Sequence, residues 1–414
     1  MSDNKKFKIV TLGCRTNQYE SAAFAKQLRE MGYVEAGDKE QAGVCVVNTC
    51  TVTEGADRSS RYQIRKLAAQ NPGSELLVTG CLAERLPGEI GSMQGVTHLV
   101  PNHEKEKLLA RLFPEEELPE FSIDVFGGHT RAFVKVQDGC NSFCTYCILP
   151  YVRGRSRSRP MQEILREVET LIQNGCKEVV LTGINIGDFE TENNERLSDL
   201  VRQVDKVPGL CRLRVSSIDP DEVDDALLSA ILEGKTTCPS LHIVLQSGSN
   251  VILKRMNRKY TRQIFLDTIE RLKKAHSDFT FTTDVIVGFP GETEADFEET
   301  LEVIRSVQFA KVHMFPYSKR ERTRAALYPN QVAASLIEER KQKVLRLSEQ
   351  VAFELRSHYV GKSLEILLEN QEGDYFAGHT HNFLRALVPV LKRSSNELVT
   401  VRCVENLPEG LLCK

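Results

Sequence analysis

At 414 residues the chain is too long for one small module, and at about 150 residues per domain it should hold two or three. An apolar share of 41% excludes a long disordered chain. With 54 basic against 57 acidic residues, a net charge of −3, a wholly basic nucleic-acid coat is excluded but a local basic patch is not.

The first 115 residues alternate strand and helix. KFKIVTLG (6–13) reads as a buried strand, and QYESAAFAKQLREMG follows with Ala22, Ala25 and Leu28 at helical spacing and a stop at Gly32. GVCVVN (43–48) and ELLVTG (75–80) are further strands around the helix ADRSSRYQIRKLAAQNP, and VTHLV (96–100) is a fourth before the helix EKEKLLARLF. This βαβ pattern predicts an open parallel sheet covered by helices. The acidic, proline-bearing stretch 114–130 reads as a linker.

Six more strand-like runs follow: AFVKVQDG (132–139), EVVLTG (178–183), LRVSSI (213–218), HIVLQS (242–247), FTFTTDVIVG (279–288) and KVHMFPYS (311–318). Helical stretches separate most of them, so six β/α units predict an incomplete parallel barrel. A charge-laced helix spans 331–359, and the short strands after Gly361 predict a small antiparallel β domain. The fold class is therefore α/β, divided into 1–115, a linker 116–130, an incomplete (β/α)6 barrel over 131–350, and a β-barrel over 351–414.

No signal-length apolar stretch opens the chain, and no run nears the roughly 18 apolar residues of a membrane span. A cytoplasmic place is expected, with no membrane partner, and there the twelve cysteines read as metal or catalytic sulfur rather than disulfides. The sharpest motif is Cys140-x3-Cys144-x2-Cys147, just beyond a barrel strand. Three thiolates in one loop suit three irons of a 4Fe–4S cube, leaving the fourth iron open. The competing reading is a zinc knuckle completed by His129 or Cys176, although zinc sites more often pair two C-x2-C units. Cys14, Cys50 and Cys81 each stand immediately past the carboxyl end of a predicted parallel strand, where such sheets bind ligands, so they could converge on a second cluster. The plainer reading makes them three core cysteines. Cys45, Cys176, Cys211, Cys238, Cys403 and Cys413 read as structural.

These motifs resemble the radical S-adenosylmethionine methylthiotransferases over nearly the whole chain. The resemblance implies that Cys14, Cys50 and Cys81 hold an auxiliary 4Fe–4S cluster, and that Cys140, Cys144 and Cys147 hold the radical-generating one. It implies that Tyr146 lies against the adenine of S-adenosylmethionine and that the tail is a TRAM-like RNA-binding barrel. TLGC-x-x-NQYES and NTCTVT-x-x-ADR-x-SR are closest to the branch that acts on C2 of N6-threonylcarbamoyladenosine at tRNA position 37. In that chemistry a 5′-deoxyadenosyl radical removes the C2 hydrogen, and the second cluster supplies the sulfur. The implied partners are tRNA, S-adenosylmethionine and an electron donor such as flavodoxin or ferredoxin. Thr182, Gly183 and Asn185 match the segment that approaches the cofactor's amino end. Ser216, Ser217, Gln246 and Gly288 stand at later strand ends as further cofactor contacts, although Gly and Ser are also ordinary turn residues there. Two departures, Arg15-Thr16 in CRTNQYES and Arg324 in TRAA, bear on substrate contacts rather than on the reaction.

For RNA, Arg153, Arg155, Arg157 and Arg159 alternate in RGRSRSR, so an extended segment would turn them all toward a phosphate backbone. Lys319, Arg320, Arg322 and Arg324 follow the last barrel strand on the same rim. The tail has seven basic and eight acidic residues from 352 on, so RNA binding there would rest on placed residues such as Tyr375, Phe376, Phe383 and Arg385. Three alternatives stay open: another tRNA adenosine, a ribosomal-protein side chain, and a non-catalytic zinc or iron–sulfur RNA-binding protein.

Overall fold

The computed structural model describes residues 5–127 and 130–414. Its first sheet contains β1 (Lys6–Thr11), β2 (Val34–Glu35), β3 (Val44–Thr49), β4 (Glu75–Gly80) and β5 (His98–Leu99), all parallel, in the spatial order β2-β1-β3-β4-β5. The β3 run VCVVNT is buried at every position, as a central strand covered on both faces must be. Helices Arg15–Glu30 and Glu54–Gln70 provide that cover. The helix expected over EKEKLLARLF is instead a kinked run of tight 3-10 turns, Asn102–Arg111, with non-helical dihedrals at Lys107. Lys105 is drawn inward to Glu20 at 2.7 Å, and Leu108 and Leu109 enter the core from the same run.

Residues 114–127 carry no regular element but are not a loose tether. Gln27 Nε2 donates to the Pro119 carbonyl (2.6 Å), Lys26 Nζ to Ser122 Oγ (2.8 Å), and the Ile123 N–H to Glu167 (2.7 Å). The segment is a strap that ties helix Arg15–Glu30 to the next layer.

The central strands are β6 (Arg131–Lys135), β7 (Gln137–Asp138), β8 (Arg157–Ser158), β9 (Glu178–Thr182), β10 (Arg212–Val215), β11 (Ser240–His242), β12 (Thr280–Val287) and β13 (Lys311–Pro316). β7 and β8 form a small antiparallel pair. The others make two parallel sheets, β6-β9-β10 and β11-β12-β13, joined by single parallel bridges between Leu213 and Thr237 and between Ile218 and Ile243. Six strands thus curve into the open barrel that the six runs predicted. Helix Ala334–Ser357 seals it: Arg340 is buried and donates to Glu292 at 2.7 Å, and Ser348 Oγ accepts from the Val312 N–H at 3.1 Å.

The tail closes a barrel from β14 (Ser363–Glu372), β15 (Tyr375–Thr380), β16 (Arg385–Pro389), β17 (Leu398–Leu407) and β18 (Gly410–Cys413), ordered β14-β15-β16-β18-β17. Its one parallel pair is β16 with β18, a four-residue strand too short to read from its sequence. This barrel docks beneath the amino end of the central one. Arg131, Arg212, Ser240 and Thr280 are the first residues of their strands. Arg131 pairs with Glu369 (3.1 Å), Arg212 donates to the His379 carbonyl (2.9 Å), and Thr280 Oγ1 donates to the Asn382 carbonyl. Arg214 spans Glu178 (2.7 Å) and the carbonyls of Thr380 (3.1 Å) and His381 (2.9 Å). Phe383 is clamped there, 5.2 Å from the Arg131 guanidinium and 4.9 Å from that of Arg214, and stacked on His379 at 4.6 Å. It is therefore a docking residue and not the base-stacking platform expected of it. Phe376 is likewise core, Arg385 pairs with Glu372 at 2.6 Å, and Tyr375 stays exposed.

Removing one partner of a buried pair leaves an uncompensated charge, at a cost of roughly 3–5 kcal/mol. Arg214→Ala should lower the urea midpoint and expose the junction near Asn382 to limited proteolysis. A native cleavage pattern would contradict the docking described.

Candidate iron–sulfur and cofactor site

The parallel sheet brings the first three thiols together. Thr11 aligns with Asn48, and Thr49 with Gly80, so Cys14, Cys50 and Cys81 sit just beyond one edge on three adjacent strands. Two glycines make this possible. Gly13 has φ +94°, and a Cβ there would stand 2.8 Å from Cys50 Sγ. Gly80 has φ +98°, and its Cβ would stand 2.4 Å from the Thr49 carbonyl oxygen. Only glycine takes these conformations without strain, and position 13 also leaves the space over Cys50 open. Asn17 Nδ2 fixes both turns by donating to the carbonyls of Leu12 (2.6 Å) and Thr49 (3.1 Å).

The second trio lies in the loop between β7 and the helical turn Leu149–Val152. Its backbone is gripped from outside: the Thr145 N–H and Oγ1 donate to the carbonyls of Met256 and Arg255 (both 2.9 Å), and the Ala325 N–H donates to the Thr145 carbonyl (2.8 Å). Arg258, which the sequence gave no reason to single out, donates to Cys144 Sγ at 3.0 Å and pairs with Asp219.

Both trios line one cavity of about 360 Å³. Its wall also includes Tyr146, Gly183, Asn185, Ser217 and Gln246 among the expected cofactor residues, and Arg258, Asp284 and Tyr317 among the unexpected ones. Thr182, Ser216 and Gly288 are not on that wall. The Thr182 carbonyl accepts from Val136 and the Ser216 N–H donates to Leu181, so their backbones belong to the strands. Gly288 donates to Glu292 at 2.7 Å and abuts Ile337, serving the seal of helix Ala334–Ser357.

The residues fit the groups that the motifs call for. Among the described residues no three Cys, His, Asp or Glu side chains close on a single metal-ion point. The thiols ring a cavity instead, as a cube presenting a separate iron to each thiolate requires. Cys176 cannot complete a zinc knuckle with the Cys140 loop: it precedes β9 at the amino end of the barrel, bonded to the Glu178 carbonyl at 3.3 Å, while the trio lies at the carboxyl end. His129 lies outside the described residues. On the cofactor side, Gln246 has a left-handed backbone (φ 59°), and its buried Oε1 has no protein partner. Such a strained residue with an unmet acceptor suits a polar ligand. The Gln137 side-chain oxygen accepts from the N–H groups of Ile184 and Asn185 (3.0 Å each), shaping the turn at Gly183, and Asn185 Nδ2 donates to Glu222 (2.9 Å). Burial and the neighbouring Asp219 push the Glu222 carboxyl up to about 7.

The arginine run departs from expectation. Arg153 caps the helical turn Leu149–Val152 and only Arg157–Ser158 is strand, so the run is not one extended segment. Arg153 is buried, donating to Asp138 (2.8 Å), Glu20 (3.1 Å) and Asn17. Arg159 is bound to Glu167 (2.7 Å) and the Tyr19 hydroxyl (2.9 Å), and Arg320 is buried on Asp57 (2.7 Å). None of the three can face a phosphate backbone. Arg155, over the Phe143 ring at 4.4 Å, Arg157, paired with Asp138 at 3.1 Å, and Arg322 are exposed.

Comparison with known proteins agrees with this geometry. Residues 134–304 match the Radical SAM superfamily, and residues 6–101 match a family described as Uncharacterized protein family UPF0004. The fold resembles that of the radical S-adenosylmethionine methyltransferase TsrM from Kitasatospora setae, at TM-score 0.54 and 13% identity over 75% of this chain and 72% of that one. It also resembles the cobalamin-dependent radical enzyme OxsB, at TM-score 0.51 and 11% identity over 85% and 58%. The protein therefore has a radical S-adenosylmethionine fold. Threonylcarbamoyladenosine tRNA methylthiotransferase MtaB of Chlamydia pneumoniae is 46% identical, covering 98% of this chain and 97% of its own. The Bacillus subtilis protein of the same name is 38% identical over 95% and 93%, and a tRNA-2-methylthio-N(6)-dimethylallyladenosine synthase of Desulfitobacterium hafniense is 34% identical over 92% and 91%. The chain belongs to this radical S-adenosylmethionine methylthiotransferase family, which works with S-adenosylmethionine and two 4Fe–4S clusters.

Two cubes amount to about eight irons per chain. Cys144→Ser and Cys50→Ser should each halve the iron and sulfide of anaerobically reconstituted protein; full retention in either would contradict the assignment. A second prediction concerns pH. Burial alone would raise the Glu20 carboxyl, but Arg153, Lys105 and Lys135 outweigh it and hold it down to about 2. A depressed carboxylate stabilises the fold above its unfolded value of about 4.3. That contribution is lost as pH falls through the folded value. The stability difference between the native protein and Glu20→Gln should thus be largest above about pH 5 and shrink toward pH 2; a constant difference would contradict it.

Proposed function

We propose that the protein places a methylthio group on C2 of threonylcarbamoyladenosine in tRNA. The observation that carries this reading is the single cavity reached by thiols from both the first sheet and the central barrel. The bound clusters and S-adenosylmethionine supply one-electron chemistry, which this position needs because an aromatic C–H is neither usefully acidic nor a leaving group.

The chain's own residues hold, orient and shield. We read 1–115 as the unit carrying the first trio, 131–350 as the barrel carrying the second, and 351–414 as an RNA-facing unit joined beneath it. Arg258, donating to Cys144 Sγ, sets the polarity around a cluster ligand, a lever on potential and ligand geometry. Gln246, Asn185 and Ser217 offer polar contacts to S-adenosylmethionine, while Tyr146, set edge-on to Phe289 at 6.5 Å, offers a ring face. The buried Ile148, Val244 and Ile286 keep the inner wall apolar, and Val52 and Phe315 stand exposed at its mouth. Arg155, Arg157 and Arg322 remain to meet phosphates. The exposed Asn141 leaves the outer face of the cluster loop open to a reductant such as flavodoxin or ferredoxin. Among the described residues no helix is long and apolar enough to cross a membrane, and a tRNA substrate favours a cytoplasmic place.

Nucleoside mass spectrometry of total tRNA from a strain lacking the gene tests the reading. Loss of the methylthio form of threonylcarbamoyladenosine, with the dimethylallyl nucleosides unchanged, is expected. An intact methylthio-threonylcarbamoyladenosine peak would overturn it.

A further inference from the structure

Immediately after Cys14 the chain turns Arg15 into the lumen of the central barrel. Its guanidinium lies 5.4 Å from the Phe133 ring centre and shares a small hollow with Arg131, Val180, Arg214, His242 and Thr282. Among the described residues no hydrogen bond or ion pair is made by this half-buried side chain, whose guanidinium is left free to take a ligand. The carboxylates nearest in the lumen are committed or set apart. Glu178 is held by Arg214 at 2.7 Å, Arg212 at 3.7 Å and Arg131 at 3.8 Å. Asp284 lies 3.3 Å from His242 Nε2, with His313 on the next strand. Arg131 and Arg214 are themselves neutralised, by Glu369 and Glu178. Arg15 thus makes no ion pair of its own among the described residues, and Asp284 and Glu178 act on it only from a distance.

The hollow continues the cysteine cavity downward. Val244 and Asp284 line the cavity; His242 and Thr282, two residues earlier on the same strand segments, line the hollow. Successive inward positions on a strand are two residues apart, so the two spaces lie one above the other. In adenine, C2 and C6 flank N1 on one edge. A base presenting C2 to the two thiol trios therefore directs its N6 substituent along the same edge. In a threonylcarbamoyl group the threonine is joined through its nitrogen and keeps a free carboxylate.

We propose that Arg15 binds that carboxylate and so selects threonylcarbamoyladenosine over adenosines with uncharged N6 groups. The inference rests on the function proposed above and deepens it. A guanidinium suits the task because its planar fork meets a carboxylate with two charge-assisted hydrogen bonds in fixed geometry, and because it stays charged when buried.

The test uses holoprotein with both clusters and two anticodon stem-loop RNAs. One carries threonylcarbamoyladenosine and the other the same group with its carboxylate capped as the methylamide. For the native protein, capping should raise KM by roughly 10- to 100-fold. Arg15→Gln should raise KM for the uncapped RNA by a similar factor, with kcat less affected, and should no longer distinguish the two RNAs; Arg15→Lys should recover part of the preference. Iron content confirms that each variant is assembled. Equal KM values for the two RNAs with native protein, or an undiminished preference in Arg15→Gln, would overturn the proposal while leaving the function standing. No turnover of either RNA by native holoprotein would overturn the function and this proposal with it.

Discussion

The geometry depends on one buried guanidinium. The Arg153 side chain is 1% exposed, yet it donates to Glu20 and Asn17 on the helix that follows Cys14 and to Asp138 on the short strand before Cys140. Asn17 in turn holds the carbonyls of Leu12 and Thr49, which precede Cys14 and Cys50. A single side chain therefore spans from the turns carrying one trio of thiols to the loop carrying the other. Lys105 and Lys135 join the same carboxylates, so Glu20 and Asp138 are taken out of water only with their charge met on several sides. Desolvating such ions is costly, and the ion pairs and hydrogen bonds converging on them offset that cost, with Arg153 Nε alone of its guanidinium nitrogens left without a partner. A second junction, Asp57 between Arg85 and Arg320 at 2.7 Å each, ties helix Glu54–Gln70 to the segment after β13 in the same way.

Parallel sheets explain why thiols so distant in sequence meet. In an open α/β sheet and in a parallel barrel alike, the carboxyl ends of the strands gather the loops on one side. Here the two carboxyl edges face each other across the cavity, and the chain spends its C-terminal barrel on the opposite, amino end. The cysteine-bearing loops stay clear of that docking, whose charged partners Arg131 and Arg212 are the first residues of their strands, with Arg214 two residues further on. Arg15 enters the lumen from the helix whose cap is Cys14, so the proposed substrate contact and the proposed cluster ligand share one turn of backbone.

Much of this was legible in the residues. Hydrophobic runs of five to eight residues, punctuated by glycine, marked the six barrel strands, because a doubly covered parallel strand must be apolar along its length. The position of Cys14, Cys50 and Cys81 at strand ends was readable for the same reason. The docking of one unit on another was not, since it rests on polar side chains that local patterning does not betray. Arg153 and Arg159 looked like a phosphate-facing stripe and are internal ties; Phe383 looked like a stacking ring and is a clamp. Arg258 and Asp219 gave no signal at all, because their role arises only when the turn after Arg255 folds back over the Cys144 loop.

The most direct measurement is low-temperature electron paramagnetic resonance of the holoprotein with both clusters reduced. Two cubes held by the six thiols of this cavity would lie close enough for their spins to interact. The fully loaded spectrum should therefore be broadened relative to the sum of the two single-cluster variants, and should sharpen when either trio is broken. A loaded spectrum that equals that sum would place the clusters in separate sites and contradict the shared cavity.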